Sequence, residues 1–172
     1  MIVEDGFERM VELVRPVIAE WTEEVVPGRV ELLPHNRYSP RYAWMFSFEK
    51  RLKHRIEDTL GRPLGPLERE LFGADGVFSE GLSNAFVHGH GRDSDRPIRV
   101  GCVIGRAGLV LAIQDRGSGF SVAEHLERAQ RGSPSFHFAG NGLRSFIASR
   151  HVHVSLTHGG RRLNLLVPLA GA

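Results

Sequence analysis

Residues 97–114 read PIRVGCVIGRAGLVLAIQ, and this stretch decides the fold. Pro97–Ile104 and Gly108–Gln114 are two runs rich in β-forming residues, and Gly105-Arg106-Ala107-Gly108 between them reads as the turn of a hairpin. The end of the chain repeats the pattern: His151–Thr157 and Arg161–Leu169 flank the turn His158-Gly159-Gly160. Upstream the periodicity changes to that of helices. Trp44, Met45, Phe48, Leu52, Ile56 and Leu60 predict a helix over 41–60, stopped by Gly61-Arg62-Pro63. Leu67, Leu71, Phe78, Leu82, Ala85 and Phe86 fall near a 3.6 period over 67–88. That segment also holds Gly73, Gly76 and Gly81, so the helix is expected to be broken or closely packed. Phe7, Met10, Leu13, Val14, Val17, Ile18 and Trp21 predict an amphipathic helix over 6–26, kinked at Pro16 and ended by Pro27-Gly28. A short strand is expected at 29–33 and a loop at 34–40, with short helices at 122–131 and 142–150. The order predicts an α+β two-layer sandwich, with helices on one face of a mostly antiparallel sheet and an extra N-terminal helix. Residues 1–40 read as an extension and 41–172 as the main domain.

Composition bounds the function. The chain has 172 residues, 41% hydrophobic and 24% charged, which is a globular balance. Its formal charge of +2, with no basic run longer than Arg161-Arg162, argues against a nucleic-acid partner. No apolar run approaches the ~20 residues that span a bilayer. Acids at Glu4 and Asp5, where a signal peptide carries Lys or Arg, and the single Cys102 predict a cytoplasmic protein. The 20 glycines are the oddity, because 16 of them lie from Gly73 onward.

Three segments carry chemistry. In Glu80-Gly-Leu-Ser-Asn84-Ala-Phe-Val-His88-Gly89, steps of four place a carboxylate, a carboxamide and an imidazole along one side of a helix. Together they offer a base, an oxygen ligand for a metal and a phosphate contact. In Asp115-Arg-Gly117-Ser-Gly119-Phe120, a carboxylate at a strand end can accept a hydrogen bond from an exocyclic amine, and the following glycines let a planar ring approach. In Gly140-Asn-Gly142-Leu143, free N–H groups at a glycine-rich helix start suit an anion. Taken singly, each has a plain structural reading: a solvated helix face, a turn and a loop. Neither the Walker pattern nor the Rossmann G-x-G-x-x-G is present.

In this order the three segments resemble the N, G1 and G2 boxes of the histidine-kinase-like ATPase (GHKL, Bergerat-fold) superfamily. Glu80-x-x-x-Asn84-Ala-x-x-His88-Gly89 is most similar to the anti-sigma-factor serine kinases of bacteria. The resemblance covers roughly 67–169. It implies a mixed, mostly antiparallel sheet and a site for ATP and Mg²⁺. There Asn84 would ligate the metal, Asp115 would hold the adenine amino group and Gly117 and Gly119 would line the base pocket. Gly140, Gly142 and Leu143 would belong to the lid over the phosphates, with His88 near them, and Glu80 would be the catalytic base that takes the proton from a serine hydroxyl. The implied partner is a protein, a sigma factor or an anti-anti-sigma-like protein, and a homodimer is a further expectation. One departure stands out: Gly159-Gly160 is followed by Arg161, where the family usually has Thr.

Two rival expectations remain. One is a non-catalytic nucleotide-binding interaction module. The other is a histidine-kinase-like signalling ATPase domain. The segment at His54 faintly echoes its phosphoacceptor box, but the 30 residues from His54 to Asn84 leave no room for a second dimerisation helix plus the first strand and helix of an ATPase domain. His151 and His153, sharing a strand face, are a weaker candidate for a transition metal.

Overall fold

A computed structural model of the chain describes residues 6–36, 38–73, 75–119, 149 and 151–169. Five strands form one sheet: β1 (Val17–Val25), β2 (Ile98–Gly105), β3 (Gly108–Gln114), β4 (His153–Thr157) and β5 (Arg162–Pro168). Their spatial order is β1-β2-β3-β5-β4, and every neighbouring pair is antiparallel. Both expected hairpins are present, as β2–β3 and β4–β5. Helices α1 (Phe7–Val14), α2 (Ala43–Leu60), α3 (Leu67–Leu71) and α4 (Val77–Asn84) complete an α+β fold.

The sheet has two faces because successive side chains point to opposite sides. Ile98, Val100, Cys102 and Ile104 of β2, Leu109, Leu111 and Ile113 of β3, and Leu163, Leu165 and Val167 of β5 share the larger face. Against them pack Trp44, Met45, Phe48, Leu52 and Ile56 of α2 and Phe78 and Leu82 of α4. Each such fully buried side chain contributes about 1.5–3 kcal/mol of transfer free energy. The intervening positions Val103, Val110 and Leu166 are also apolar, and they meet Met10 and Val14 of α1. Helices therefore lie on both faces rather than on one: α1 covers the second face because the β2–β3 hairpin is apolar on both sides.

The long N-terminal helix expected over 6–26 is corrected by the structure. The helix ends at Val14, the chain turns at Arg15-Pro16, and residues 17–25 form the edge strand β1. The spacing of Val17, Ile18 and Trp21 fits a helical stripe, yet Val17 and Ile18 are exposed. Trp21 instead stands opposite Cys102, within a ladder running from Val17↔Gly105 to Val25↔Ile98. Pairing with a strand some 80 residues away decides the outcome, and local spacing does not report it. Pro27–Arg29 is a single 3₁₀ turn, and no strand follows at 29–33.

The glycines of 67–88 act in both expected ways. Gly73, at φ 96°, breaks the helix between α3 and α4. Gly81 lets α4 lie directly on the sheet, since a Cβ there would overlap the Leu163 side chain and touch Ile113. Helix α2 stops at Gly61, which is left-handed (φ 66°) and donates its N–H to Asp58 O. No helix among the described residues is long and apolar enough to cross a membrane. The helix expected at 122–131 lies outside the described residues, as does that at 142–150 apart from Ser149.

On α2, Glu49 is buried, with Tyr38, Ser79, Gly73 and Lys50 around its carboxyl group. The Tyr38 hydroxyl donates to its Oε2 (3.1 Å), and Oε1 has no partner among the described residues. Burial raises its pKa from 4.5 to about 7.

Two predictions follow from this packing. A Cβ at Gly105 would fall on the Val14 carbonyl, whereas one at Gly101 would meet only ordinary contacts at 3.7 Å. Urea denaturation should show Gly105→Ala destabilised by about 1–3 kcal/mol and Gly101→Ala neutral or slightly stabilised. Equal effects would refute the close docking of α1. For Glu49, the folded chain retains between pH 4.5 and 7 a proton that the unfolded chain has released. Its contribution to stability therefore falls by up to ~3 kcal/mol as pH rises through that window. Glu49→Gln should flatten that part of the profile and be more stable than the wild type at pH 8.

Candidate functional site

Helix α4 presents the first set of candidates. It begins with Gly76 as N-cap and buries Val77, Phe78, Ser79 and Leu82, which turns Glu80, Ser83 and Asn84 toward partial exposure. After Asn84 the helix widens into a single π-helical turn, Ala85–Gly89, closed by His90 N–H to Ala85 O at 3.0 Å. Such turns are frequent at functional sites, because the extra residue re-aims the side chains that follow. Glu80, Asn84 and His88 do come together. Burial raises the Glu80 pKa, while a hydrogen bond from the Asn84 side chain and the nearby His88 imidazole pull it back toward the charged form. Glu80 is thus a half-buried carboxylate made more basic than a surface one. The Asn84 carboxamide offers both an N–H donor for that carboxylate and a carbonyl oxygen that can accept or ligate.

The second set lies at the end of β3. Asp115 Oδ1 accepts the Gly117 N–H at 2.7 Å, and the Asp115 N–H donates to Arg161 O at 3.0 Å, tying the strand end to the β4–β5 hairpin. Gly89 packs directly on the Asp115 carboxyl group, and Gly117 packs on the Gly89 carbonyl. A side chain at either position would collide with that group. Gly119, at φ 75°, faces the Gly159 carbonyl and the Arg161 side chain. The structure therefore joins the N-terminal and strand-end candidates through one close backbone approach at Gly89. Gly140, Gly142 and Leu143 lie outside the described residues.

Sequence reasoning missed the role of His90. Its ring is buried, and Nε2 accepts the Arg116 N–H at 2.9 Å. Arg116 is further held by Arg96, whose guanidinium donates to its carbonyl (2.8 Å), and by Glu24 of β1, which pairs with its own guanidinium at 2.6 Å. The alternation His88-Gly89-His90 was the one available signal. His151 is also reassigned: its Nδ1 lies 2.5 Å from Glu70 Oε1, and Ser149 Oγ donates to the other oxygen of that carboxylate. This clamps α3 to the start of β4. Among the described residues no three His, Cys, Asp or Glu side chains gather to hold a metal ion. A separate cavity of about 420 Å³, lined by Tyr38, Phe46, Glu49, Lys50 and Phe72 among others, includes none of the candidate nucleotide residues.

Compared with known proteins, the chain matches no family model and no curated protein.

The Glu80–Asn84 hydrogen bond is directly testable. Asn84→Ala removes the donor that stabilises the carboxylate, so the Glu80 pKa should move further upward. Carboxyl ¹³C titration of the two proteins measures this, and an unchanged or lowered value refutes the contact.

Proposed function

We propose that this chain is a Mg-ATP-binding regulatory protein of the anti-sigma serine-kinase type, in the histidine-kinase-like ATPase superfamily with its Bergerat fold. The observation that carries the reading is the packing of bare Gly89 and Gly117 backbone around the Asp115 carboxyl group. That group lies at the mouth of the helix bearing Glu80, Asn84 and His88. A carboxylate flanked by glycines suits an exocyclic amine on a planar base, because no side chain obstructs the ring. The α+β fold with a five-stranded antiparallel sheet is compatible with this assignment.

The residues present fit the proposed ligands. A carboxamide oxygen, as at Asn84, is a hard donor suited to Mg²⁺. Bound at Asn84, the metal would supply neutralisation of phosphate charge. Glu80 is the general base: it accepts the proton of a serine hydroxyl on a partner protein as that oxygen bonds to the γ-phosphorus and the bond to ADP breaks. Its raised pKa matches that task. The protein partner is a sigma factor or an anti-anti-sigma-like protein, and the setting is the cytoplasm.

A second reading, a nucleotide-binding module without transfer, is favoured by Arg161. That side chain packs on Gly119 and donates from Nε to His158 O (3.0 Å), where the family usually has Thr.

Titration with a non-hydrolysable ATP analogue and Mg²⁺ should give a Kd below millimolar, and absence of binding overturns both readings. Glu80→Gln should leave that Kd within a few fold and lower phosphate transfer by about 10²–10⁴. Equal loss of binding and transfer refutes the role of Glu80. Incubation of γ-labelled ATP with a partner separates the two readings: labelled phosphoserine supports the kinase, and a stable unlabelled complex supports the module.

A further inference from the structure

Three successive amides at the end of β3 each have an assigned acceptor. The Asp115 N–H goes to Arg161 O, the Gly117 N–H goes to Asp115 Oδ1, and the Arg116 N–H between them goes to His90 Nε2. Of these acceptors, only the imidazole nitrogen loses its accepting lone pair on protonation, because a carboxyl oxygen keeps one. A backbone N–H always donates, so Nε2 must present its lone pair, and the ring is then neutral with its proton on Nδ1. That Nδ1 is buried without a partner in hydrogen-bonding geometry among the described residues, and since it already carries the ring's one proton, a second would have to enter at Nε2. Protonating Nε2 would set N–H against N–H.

We propose that His90 is the positioning residue of this turn: its neutral imidazole holds the Arg116 amide, and through it sets the orientation in which Asp115 meets the base of a bound nucleotide. Protonation of the ring releases the turn and weakens binding. The inference rests on the nucleotide reading of the site given above.

The charged groups around the ring agree with a neutral resting state. Burial lowers the His90 pKa below its ordinary 6.5 and the Arg96 charge acts in the same direction, against the opposing pull of Asp115, the Arg96 backbone and Asp93. The neutral form therefore persists through pH 7, and release sets in as pH falls below the usual histidine range. Arg96 also donates to the Arg116 carbonyl, and Glu24 holds the Arg116 guanidinium. These contacts steady the residue but leave its amide dependent on His90.

The test compares the wild type with His90→Gln, whose side-chain oxygen can accept the same N–H but does not titrate, and with His90→Phe, which cannot accept it. The Kd of a non-hydrolysable ATP analogue with Mg²⁺ is measured for all three from pH 8 to 5. Titration of the nucleotide is common to the three proteins and cancels in their ratios. Wild type and His90→Gln should bind alike at pH 8. Wild type should then weaken relative to His90→Gln by about tenfold per pH unit once the ring titrates. His90→Phe should be weak throughout. Parallel profiles for wild type and His90→Gln overturn the proposal.

A second readout needs no ligand. Imidazole ¹⁵N shifts should show the Nδ1–H tautomer at pH 7, and the Arg116 amide should be protected from exchange until His90 protonates. An Nε2–H tautomer, or an Arg116 amide indifferent to the ring's titration, overturns the proposal even if nucleotide binds. If the Arg116 amide follows His90 but no protein binds nucleotide at any pH, the nucleotide assignment fails and His90 is left as a structural clamp.

Discussion

The close approach of α4 to the sheet is the constraint on which the rest of the site depends. At one end Gly81 removes the side chain that would otherwise stand between the helix and Leu163 and Ile113. At the other, Gly89 brings backbone against the Asp115 carboxyl group. These two contacts fix both the height and the tilt of the helix over β3 and β5. Glu80, next to Gly81, and Asn84, between the two glycines, are therefore held in place relative to the strand end. Gly81 costs helix propensity of about 1 kcal/mol relative to Ala, and the packing it permits offsets that cost. The same logic explains the π-helical turn after Asn84. It lets the chain leave the helix axis early enough for Gly89 and His90 to reach the end of β3.

Around this contact the electrostatics are arranged by desolvation more than by ion pairs. Glu80 and Glu49 are both raised by burial, and His90 is lowered by it. Each is pushed toward its neutral form, as burial of an ionisable group requires. The groups differ in what opposes the shift. Glu80 has Asn84 and His88 to support its charge, which keeps it usable as a base. Glu49 has Ser79, Tyr38, Gly73 and Lys50 to oppose its shift, which burial still dominates. His90 is committed to a single amide. The Arg116–Glu24 salt bridge and the His151–Glu70 hydrogen bond stay at the periphery, where they join elements distant in sequence.

Much of this was legible in the sequence, and the parts that were not share a cause. The two hairpins were readable because a strand-turn-strand unit is local, and its glycines mark the turn. The helix at 43–60 was readable because eighteen residues of 3.6 periodicity end at a left-handed glycine. The Glu80–Asn84–His88 alignment followed from helical spacing alone, although the widening after Asn84 did not. Strand β1 was misread because Val14, Val17, Ile18 and Trp21 satisfy a helical stripe, while its pairing with β2 is remote in sequence. The placement of α1 on the second face was hidden for a related reason: nothing in Met10 and Val14 names Val103 and Val110 as their partners.

By itself, the sequence determined the type and order of most elements and the chemical kinds of group at the site, since these depend on periodicity and on residue identity. Tertiary structure alone decided which backbone amide each side chain would hold. The bond from Arg116 to His90, the contact of Gly89 with Asp115 and the edge position of β1 are the cases in point. A hydrogen bond needs its atoms within about 3 Å, and only the folded chain brings residues 26 or 80 positions apart to that distance.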